Sequence, residues 1–246
     1  MTILVTGGSK GIGLDIAKAF APDGEPVLIN YRSDAEAASR AKADVEALGA
    51  PCTLIPGDAG TAEGCRAIAE AARATVDRLD VLVHCAVDAY ATGTLEAEPD
   101  RFAAAAMTNG ASLLFITQAC LPMMARGSTV FFLSSRGSKV VVPNYVAIGA
   151  GKAMAECLVR YMAPELAPKG IRINIVSPGI VETDAVRTLF GDQTGDLMEH
   201  AASTNPSGRG VEPHDYTGII RFLASPEADY ITGQNIAIGG GANLMA

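Results

Sequence analysis

The chain opens with a short apolar run, Ile3–Thr6, followed at once by Gly7-Gly8-Ser9-Lys10-Gly11-Ile12-Gly13 and a helical stretch over 11–21. Few local patterns restrict a fold as tightly. Glycines at a strand-to-helix turn let the backbone bend sharply and approach a ligand closely. The free N–H groups and dipole of the helix start then favour an anion such as a pyrophosphate. A glycine-rich loop alone is a weak signal, and its place directly after a first strand gives it weight.

The rest of the chain continues the rhythm. Strand-like runs at Ile3–Thr6, Pro26–Tyr31, Cys52–Ile55, Val81–Cys85, Thr129–Leu133, Ile171–Val176 and Asn235–Ile238 alternate with helical windows. Those windows lie near 11–21, 34–48, 61–76, 98–106, 110–125, 145–167 and 213–224. Such alternation predicts βαβ units with right-handed crossovers. The expected fold is α/β: a Rossmann-type, doubly wound, parallel seven-stranded sheet, with residues 1–246 as a single domain for dinucleotide binding and catalysis. The polar stretch from Glu182 to Gly210 breaks the rhythm just after a strand end, where open α/β sheets bind ligands. It is expected to be a substrate lid.

Composition removes other classes. A chain of 246 residues, 49% hydrophobic and 19% charged, can bury one large core. Its net charge of −8 has the wrong sign for a nucleic-acid binder. No apolar run reads as reaching the ~18 residues of a membrane span, and no cationic leader precedes Ile3, so the expected location is cytoplasmic. The five cysteines (Cys52, Cys65, Cys85, Cys120 and Cys157) are odd in number and scattered, with no CxxC pair. They are expected to be reduced thiols, with neither disulfide nor metal site.

Charge then bears on the choice of dinucleotide. NAD-selective sites put a carboxylate at the end of the second strand to receive the ribose hydroxyl. Here that strand ends Asn30-Tyr31-Arg32-Ser33, with no acid before Asp34. Arg32, with Lys10 and the Ser9 hydroxyl, could instead surround a 2′-phosphate, which points to NADP(H).

With these residues in place, the chain resembles a short-chain dehydrogenase/reductase over nearly its whole length. Thr6–Gly13 matches the family's glycine motif. Asp58 stands where an adenine-contacting Asp follows the third strand, and Pro178-Gly179-Ile180-Val181-Glu182-Thr183 resembles the segment that holds the nicotinamide carboxamide. Residues 207–241 are similar to the family's last helix and strand. The resemblance implies cofactor contacts at Gly7, Ser9, Lys10, Gly11, Ile12, Gly13, Tyr31, Arg32, Ser33, Asp58, Lys152, Pro178, Gly179, Val181 and Thr183. Two departures stand out: the usual Asn-Asn-Ala-Gly is His84-Cys85-Ala86-Val87, and the usual Asp-Gly-Gly is Gly239-Gly240-Gly241. His84 is expected to be structural or cofactor-facing rather than a proton donor.

The catalytic series departs as well. Ser135 and Lys152 are 17 residues apart, the total span of the family's Ser–Tyr–Lys series. The usual tyrosine position holds Ile148, which cannot transfer a proton, and Tyr145 lies three residues earlier. On a helix, positions 4 apart differ by ~40° around the axis and positions 7 apart by about −20°, so both spacings keep Tyr and Lys on one face. Their separation along the axis grows from ~6 Å to ~10.5 Å.

In ketone reduction the proton goes to the oxygen of the same carbon that takes the hydride. In conjugate reduction of an enoyl thioester the hydride goes to Cβ, and charge appears on an oxygen several bonds away. A donor set back by one turn suits the second reaction. The Tyr-x6-Lys spacing, with Ser135 10 residues before Tyr145 and Gly149 four after it, resembles the divergent enoyl-[acyl-carrier-protein] reductases. The NADPH-dependent type III form is the most similar, a resemblance that implies fatty acid biosynthesis. It also implies that Tyr145 stabilises or protonates the enolate, while Lys152 binds the nicotinamide ribose and lowers the phenol's pKa. Asn109 would bend the fifth helix and support a relay water, and Ser135 would orient substrate or tyrosine. Tyr90 is a candidate substrate contact or lid-packing residue.

Two other activities remain open: a ketoreductase of β-ketoacyl or secondary-metabolite carbonyls, and a non-catalytic NADP-binding sensor. Expected partners are an acyl thioester or another small substrate, an acyl carrier protein near Arg126, Arg136 and Lys139, and further copies of the chain. The family pairs the helices near 110–125 and 145–167 into dimers and homotetramers.

Overall fold

The computed structural model describes residues 1–244. Seven strands, β1 (Ile3–Thr6), β2 (Val27–Tyr31), β3 (Cys52–Pro56), β4 (Val81–His84), β5 (Thr129–Leu133), β6 (Arg172–Pro178) and β7 (Asn235–Ile238), form one sheet in the order 3-2-1-4-5-6-7. Every pairing is parallel. The strand order turns back on itself between β1 and β4, and the crevice above that point is where doubly wound sheets take ligands.

Side-chain alternation divides the core into two layers. Leu4, Leu28, Leu82 and Val130 face one way, onto helices α3 (Ala62–Arg73), α5 (Ser112–Cys120) and α6 (Val146–Leu166). Ile3, Val5, Ile29 and Phe131 face the other, onto α1 (Gly11–Phe20), α2 (Ala35–Ala47) and α9 (Pro213–Ala224). All these strand residues are fully buried, which is why the strands read as continuous apolar runs.

Several strand ends shift by a residue or so, and three differences matter more. β6 runs through Pro178 because Ser177 and Pro178 still pair with Ala237 and Ile238 of β7. The windows 98–106 and 110–125 are one run: α4 (Pro99–Ala106) passes into α5 through a π-helical turn, Met107–Ala111. This run, Pro99–Met123, contains an 18-residue window with a mean hydropathy of 1.2 and is long and apolar enough to cross a membrane by length and composition, contrary to the sequence reading. Its apolarity has a local reason, since Ala105, Leu113 and Ile116 are buried inside the fold.

The third shift is at 182–210, which folds into α7 (Asp184–Phe190) and α8 (Thr194–Ser203). Thr183 caps α7 by accepting from the Val186 N–H at 3.3 Å, and Gly191, at φ 51°, ends it. Composition alone hid those caps.

Candidate active site

A cavity of about 1180 Å³ lies over the C-terminal ends of β1, β4, β5 and β6, from the glycine loop to α8. Its walls bring together the whole cofactor set expected from sequence. Gly7, Ser9, Lys10, Gly11, Ile12 and Gly13 form the floor, with Tyr31, Arg32, Ser33 and Asp58 at one end. Pro178, Gly179, Val181 and Thr183 border the other side, where Ser135, Tyr145 and Lys152 also open into the space.

The loop has the shape of a dinucleotide cradle. Gly7 sits at φ 64°, and a Cβ there would lie 2.9 Å from the Ala86 Cα, so only glycine fits between β1 and β4. A Cβ on Gly13 would come within 2.4 Å of the Gly7 carbonyl. The start of α1 therefore packs directly beneath the loop.

Lys10 is not the free cation expected for a phosphate. Its ammonium is held by Asp34 at 2.6 Å and Asp184 at 3.2 Å, which raise its pKa, Asp34 first. Sequence reading noted Asp34 only as the first acid after the second strand, not as a partner of Lys10, and passed over Asp184, which lies 174 residues from Lys10 (184 − 10). Asp34 has a local signal, since it caps α2 by accepting from the Ala37 N–H at 2.9 Å. Arg32 borders the same space with no hydrogen bond or ion pair to any described residue.

At the end of β4, His84 is fully buried and structural. The Ser112 hydroxyl donates to the Thr108 carbonyl at 2.7 Å, so His84 Nε2 must donate to Ser112 Oγ at 2.8 Å. Nδ1 then accepts from the Thr6 hydroxyl at 2.8 Å. Burial holds the imidazole neutral and lowers its pKa to about 3, with nearby Lys152 acting the same way. The adjoining Cys85 thiol is pushed up to about 11 by burial. All five cysteines are free thiols.

Asn109 sits in the π-helical turn, as the resemblance implied, but outside the cavity wall. Its Oδ1 accepts from the Asp88 N–H at 2.9 Å, and its Nδ2 donates to the Asp88 carbonyl at 3.0 Å and the Ala147 carbonyl at 3.3 Å. With both amide hydrogens used on backbone, the side chain ties the loop after β4 to α6 and has no donor left for a relay water. The Asp88 carboxylate is gripped by both Arg101 terminal nitrogens, and Arg101 stacks 4.8 Å over the Tyr90 ring. Tyr90 packs here, outside the cavity lining.

The side of the cavity that holds Ser135, Tyr145 and Lys152 is built on β5 and α6. Tyr145 is the N-cap of α6, preceded by Asn144 in a left-handed conformation at φ 58°. Its hydroxyl shares a 2.9 Å hydrogen bond with Ser135 Oγ. Ile148, 1% exposed, closes the wall where the family's tyrosine would stand. Lys152 donates to the Leu133 carbonyl and lies 5.3 Å over the Phe132 ring. Burial lowers its pKa to about 8. Burial also raises the Tyr145 phenol above its ordinary 10, against a smaller opposing effect of the Ser135 bond. The phenol's pKa thus lies above its ordinary value, where the resemblance implied a lowering by Lys152.

One buried carboxylate escaped sequence reading. Glu156 Oε1 accepts from the Ser134 and Ser138 hydroxyls, each at 2.6 Å, and so anchors the turn after β5. Its signal was only its i+4 spacing from Lys152. Arg126 and Arg136 flank opposite ends of β5, so the basic neighbourhood expected for a carrier protein reduces to Arg136 and Lys139. No group of three or more His, Cys, Asp or Glu that could hold a metal occurs among the described residues.

Comparison with known proteins places this geometry. Residues 7–243 match the family model described as enoyl-(acyl carrier protein) reductase. The chain is 30% identical to 1-cyclohexenylcarbonyl-CoA reductase of Streptomyces collinus, covering 99% of this chain and 87% of the relative. Among solved structures it resembles the Pseudomonas aeruginosa RhlG/NADP active-site complex, with a TM-score of 0.87 and 29% identity over 98% of this chain and 95% of that one. It also resembles the angucycline C-6 ketoreductase LanV with bound NADP, with a TM-score of 0.88 and 27% identity over 99% and 96%.

Proposed function

We propose, from the premise that this chain belongs to the short-chain dehydrogenase/reductase superfamily of NAD(P)H-dependent oxidoreductases, that it uses NADPH to reduce the C=C bond of an enoyl thioester. The observation that carries this reading is the phenol's place. Tyr145 opens into the cavity one turn before the usual position, held on Ser135, while Ile148 fills that position. The Streptomyces relative, named as acting on an unsaturated acyl-CoA, supports the same chemistry.

The nicotinamide, when bound, supplies a hydride to Cβ of the acyl chain. The chain's own residues manage charge and proton. Tyr145 donates a hydrogen bond to the thioester oxygen as negative charge develops there, and Cα of the resulting enolate takes a proton from solvent water to complete addition across the double bond. Ser135 orients the phenol. Lys152, charged below pH about 8, offers its ammonium to the ribose hydroxyls and the field of a cation to the same wall. Ile148 and Val142 keep this wall apolar.

NADPH is preferred over NADH in this reading because Arg32 has no partner among the described residues at the adenosine end, and the similar RhlG and LanV structures are complexes with NADP. α7 and α8 form the lid over the acyl chain, whose path is lined by Leu189, Phe190 and Leu197. Arg136 and Lys139 at the mouth suit an acidic acyl carrier protein. Met107, Met154 and Tyr161, exposed apolar residues around the α5 and α6 layer, suit pairing between copies into a dimer or tetramer. The place of work proposed is the cytoplasm, in acyl-chain synthesis.

A second reading is carbonyl reduction, favoured by the likeness to the LanV ketoreductase. Parallel NADPH-oxidation assays with crotonyl and acetoacetyl thioesters separate the two. Turnover of the enoyl substrate, lost in Tyr145→Phe, is the expected result; turnover of the β-ketoacyl substrate alone rejects the first reading.

A further inference from the structure

The shifted phenol needs a place to lie, and the structure shows what makes it. Gly137 sits in the short turn Arg136–Ser138 after β5, and Gly149 lies one helical turn beyond Tyr145 on α6. A Cβ on Gly137 would stand 2.5 Å from both Cδ1 and Cε1 of the Tyr145 ring, far inside contact distance. A Cβ on Gly149 would stand 2.5 Å from the Gly137 carbonyl oxygen and 3.5 Å from the ring's Cδ1. Gly149 thus lets the turn lie against the helix, and Gly137 lets the ring lie against the turn. Neither glycine has a positive φ, so close approach, not backbone conformation, demands glycine at both places.

The turn is itself held firmly. Ser134 and Ser138 donate to the buried Glu156 carboxylate at 2.6 Å each, and Ser138 Oγ also lies 2.8 Å from the Ser135 carbonyl. On the other flank, the Thr92 N–H donates to the Asn144 carbonyl at 3.1 Å, and Thr92 and Tyr145 form a parallel bridge. With its backbone fixed on one side and the turn fixed on the other, the ring cannot yield to a methyl group at 137 and keep its hydroxyl on Ser135.

We infer that Gly137 and Gly149 are positioning residues that form a slot for the Tyr145 ring, and that this slot sets the distance from the phenol to the nicotinamide ribose side of the cavity. The inference rests on the reading of Tyr145 as the group that acts on the substrate oxygen. It deepens that reading by naming what fixes the hydroxyl one turn from the usual place. The usual place, at Ile148, needs no such slot because a side chain there rises from the helix directly into the cavity.

The test is a double-mutant cycle on the enzyme with NADPH and whichever thioester it turns over, with NADPH binding measured for every variant. Gly137→Ala should lower kcat by about 10²-fold, the scale of an ångström-sized misplacement of a reacting group. NADPH affinity and substrate KM should stay within about twofold. In the Tyr145→Phe background the same substitution should change kcat by less than about twofold, because a slot has nothing left to position. A purely structural role would add its loss in both backgrounds.

Should Gly137→Ala lose NADPH binding, Gly149→Ala carries the same cycle. If both lose it, the glycines serve the fold and the inference falls. It also falls if Gly137→Ala is harmless while Tyr145→Phe is not, and the reading of Tyr145 then survives. If Tyr145→Phe itself is harmless, the reading and the inference go together.

Discussion

Two neighbouring strands end in sequences that depart from the family's pattern, and they end differently. At β4, His84 replaces an asparagine, and both ring nitrogens of the replacement are consumed. Its two ring nitrogens meet Thr6 and Ser112 at 2.8 Å each, and Ser112 passes its own hydrogen to Thr108. At β5 and the start of α6, the phenol makes one bond, to Ser135 at 2.9 Å, on a cavity wall. The first network is closed and the second has hydrogen-bonding capacity left over. A closed network holds strands together, whereas an open one facing a cavity has something still to bind.

The largest effect expected is on the open side. Tyr145→Phe removes the hydroxyl proposed to follow charge on the substrate, and its loss should lower kcat by roughly 10²–10⁴-fold, the range for a positioned acid or hydrogen-bond donor. NADPH binding should hold, because the ring keeps its slot. A variant with wild-type turnover would erase the contrast between the two strand ends.

The closed side should answer in stability instead. His84→Ala leaves the Thr6 and Ser112 hydroxyls facing a void where a fully buried ring stood. The cost should be about 2–4 kcal/mol of folding free energy, read from denaturant midpoints, with turnover per folded molecule changed far less. The pH dependence gives a second signature. His84 is depressed to about 3 from 6.5, so between those values the unfolded chain binds the extra proton. His84 therefore contributes stability that is full above pH 6.5 and lost as pH falls toward 3, and His84→Asn should flatten that part of the curve.

Lys152 lies between the two networks and should divide activity from stability by pH. Its depression to about 8 from 10.5 means the folded chain gives up this proton first. Activity that needs the ammonium should fall about tenfold per unit above pH 8 in the kcat/KM profile of the free enzyme. Across the window 8 to 10.5 the unfolded chain holds the extra proton, so this group's contribution to stability rises with pH as activity drops. A kcat/KM profile flat to pH 10 counts against a catalytic role for the ammonium.

The sequence made the sheet and the cradle readable because their signals are local. Ile3–Thr6 and the glycines behind it sit within a dozen residues, and strands buried on both faces announce themselves as apolar runs. The spacing of Ser135, Tyr145 and Lys152 was equally local. The contacts that were not legible join distant residues: Asn109 with the Asp88 backbone, Lys10 with Asp184, Glu156 with Ser134. No periodicity reports such pairs. α7 and α8 were hidden for a different reason, since Gly, Thr and Asn read as loop residues until their roles as caps and stops are seen at Thr183 and Gly191.

The contrast of closed and open groups extends to the adenosine end of the cavity, where it ranks two cations that sequence treats alike. Lys10 already has two carboxylates, at 2.6 Å and 3.2 Å, and a 2′-phosphate must share or displace them. Arg32 borders the same space without a partner among the described residues, and its planar fork can meet a phosphate with two parallel hydrogen bonds. Arg32→Ala should therefore raise the KM for NADPH by about tenfold, while leaving that for NADH nearly unchanged. Lys10→Ala should raise it by only about threefold, because removing the ammonium also costs Asp34 and Asp184 their counter-charge and the exposed pair is worth little in water. If the two substitutions have equal effects, the number of carboxylate partners does not rank these cations. If Lys10 proves the larger, the carboxylates must release it when phosphate arrives, and Asp34→Asn should then tighten NADPH rather than leave it unchanged.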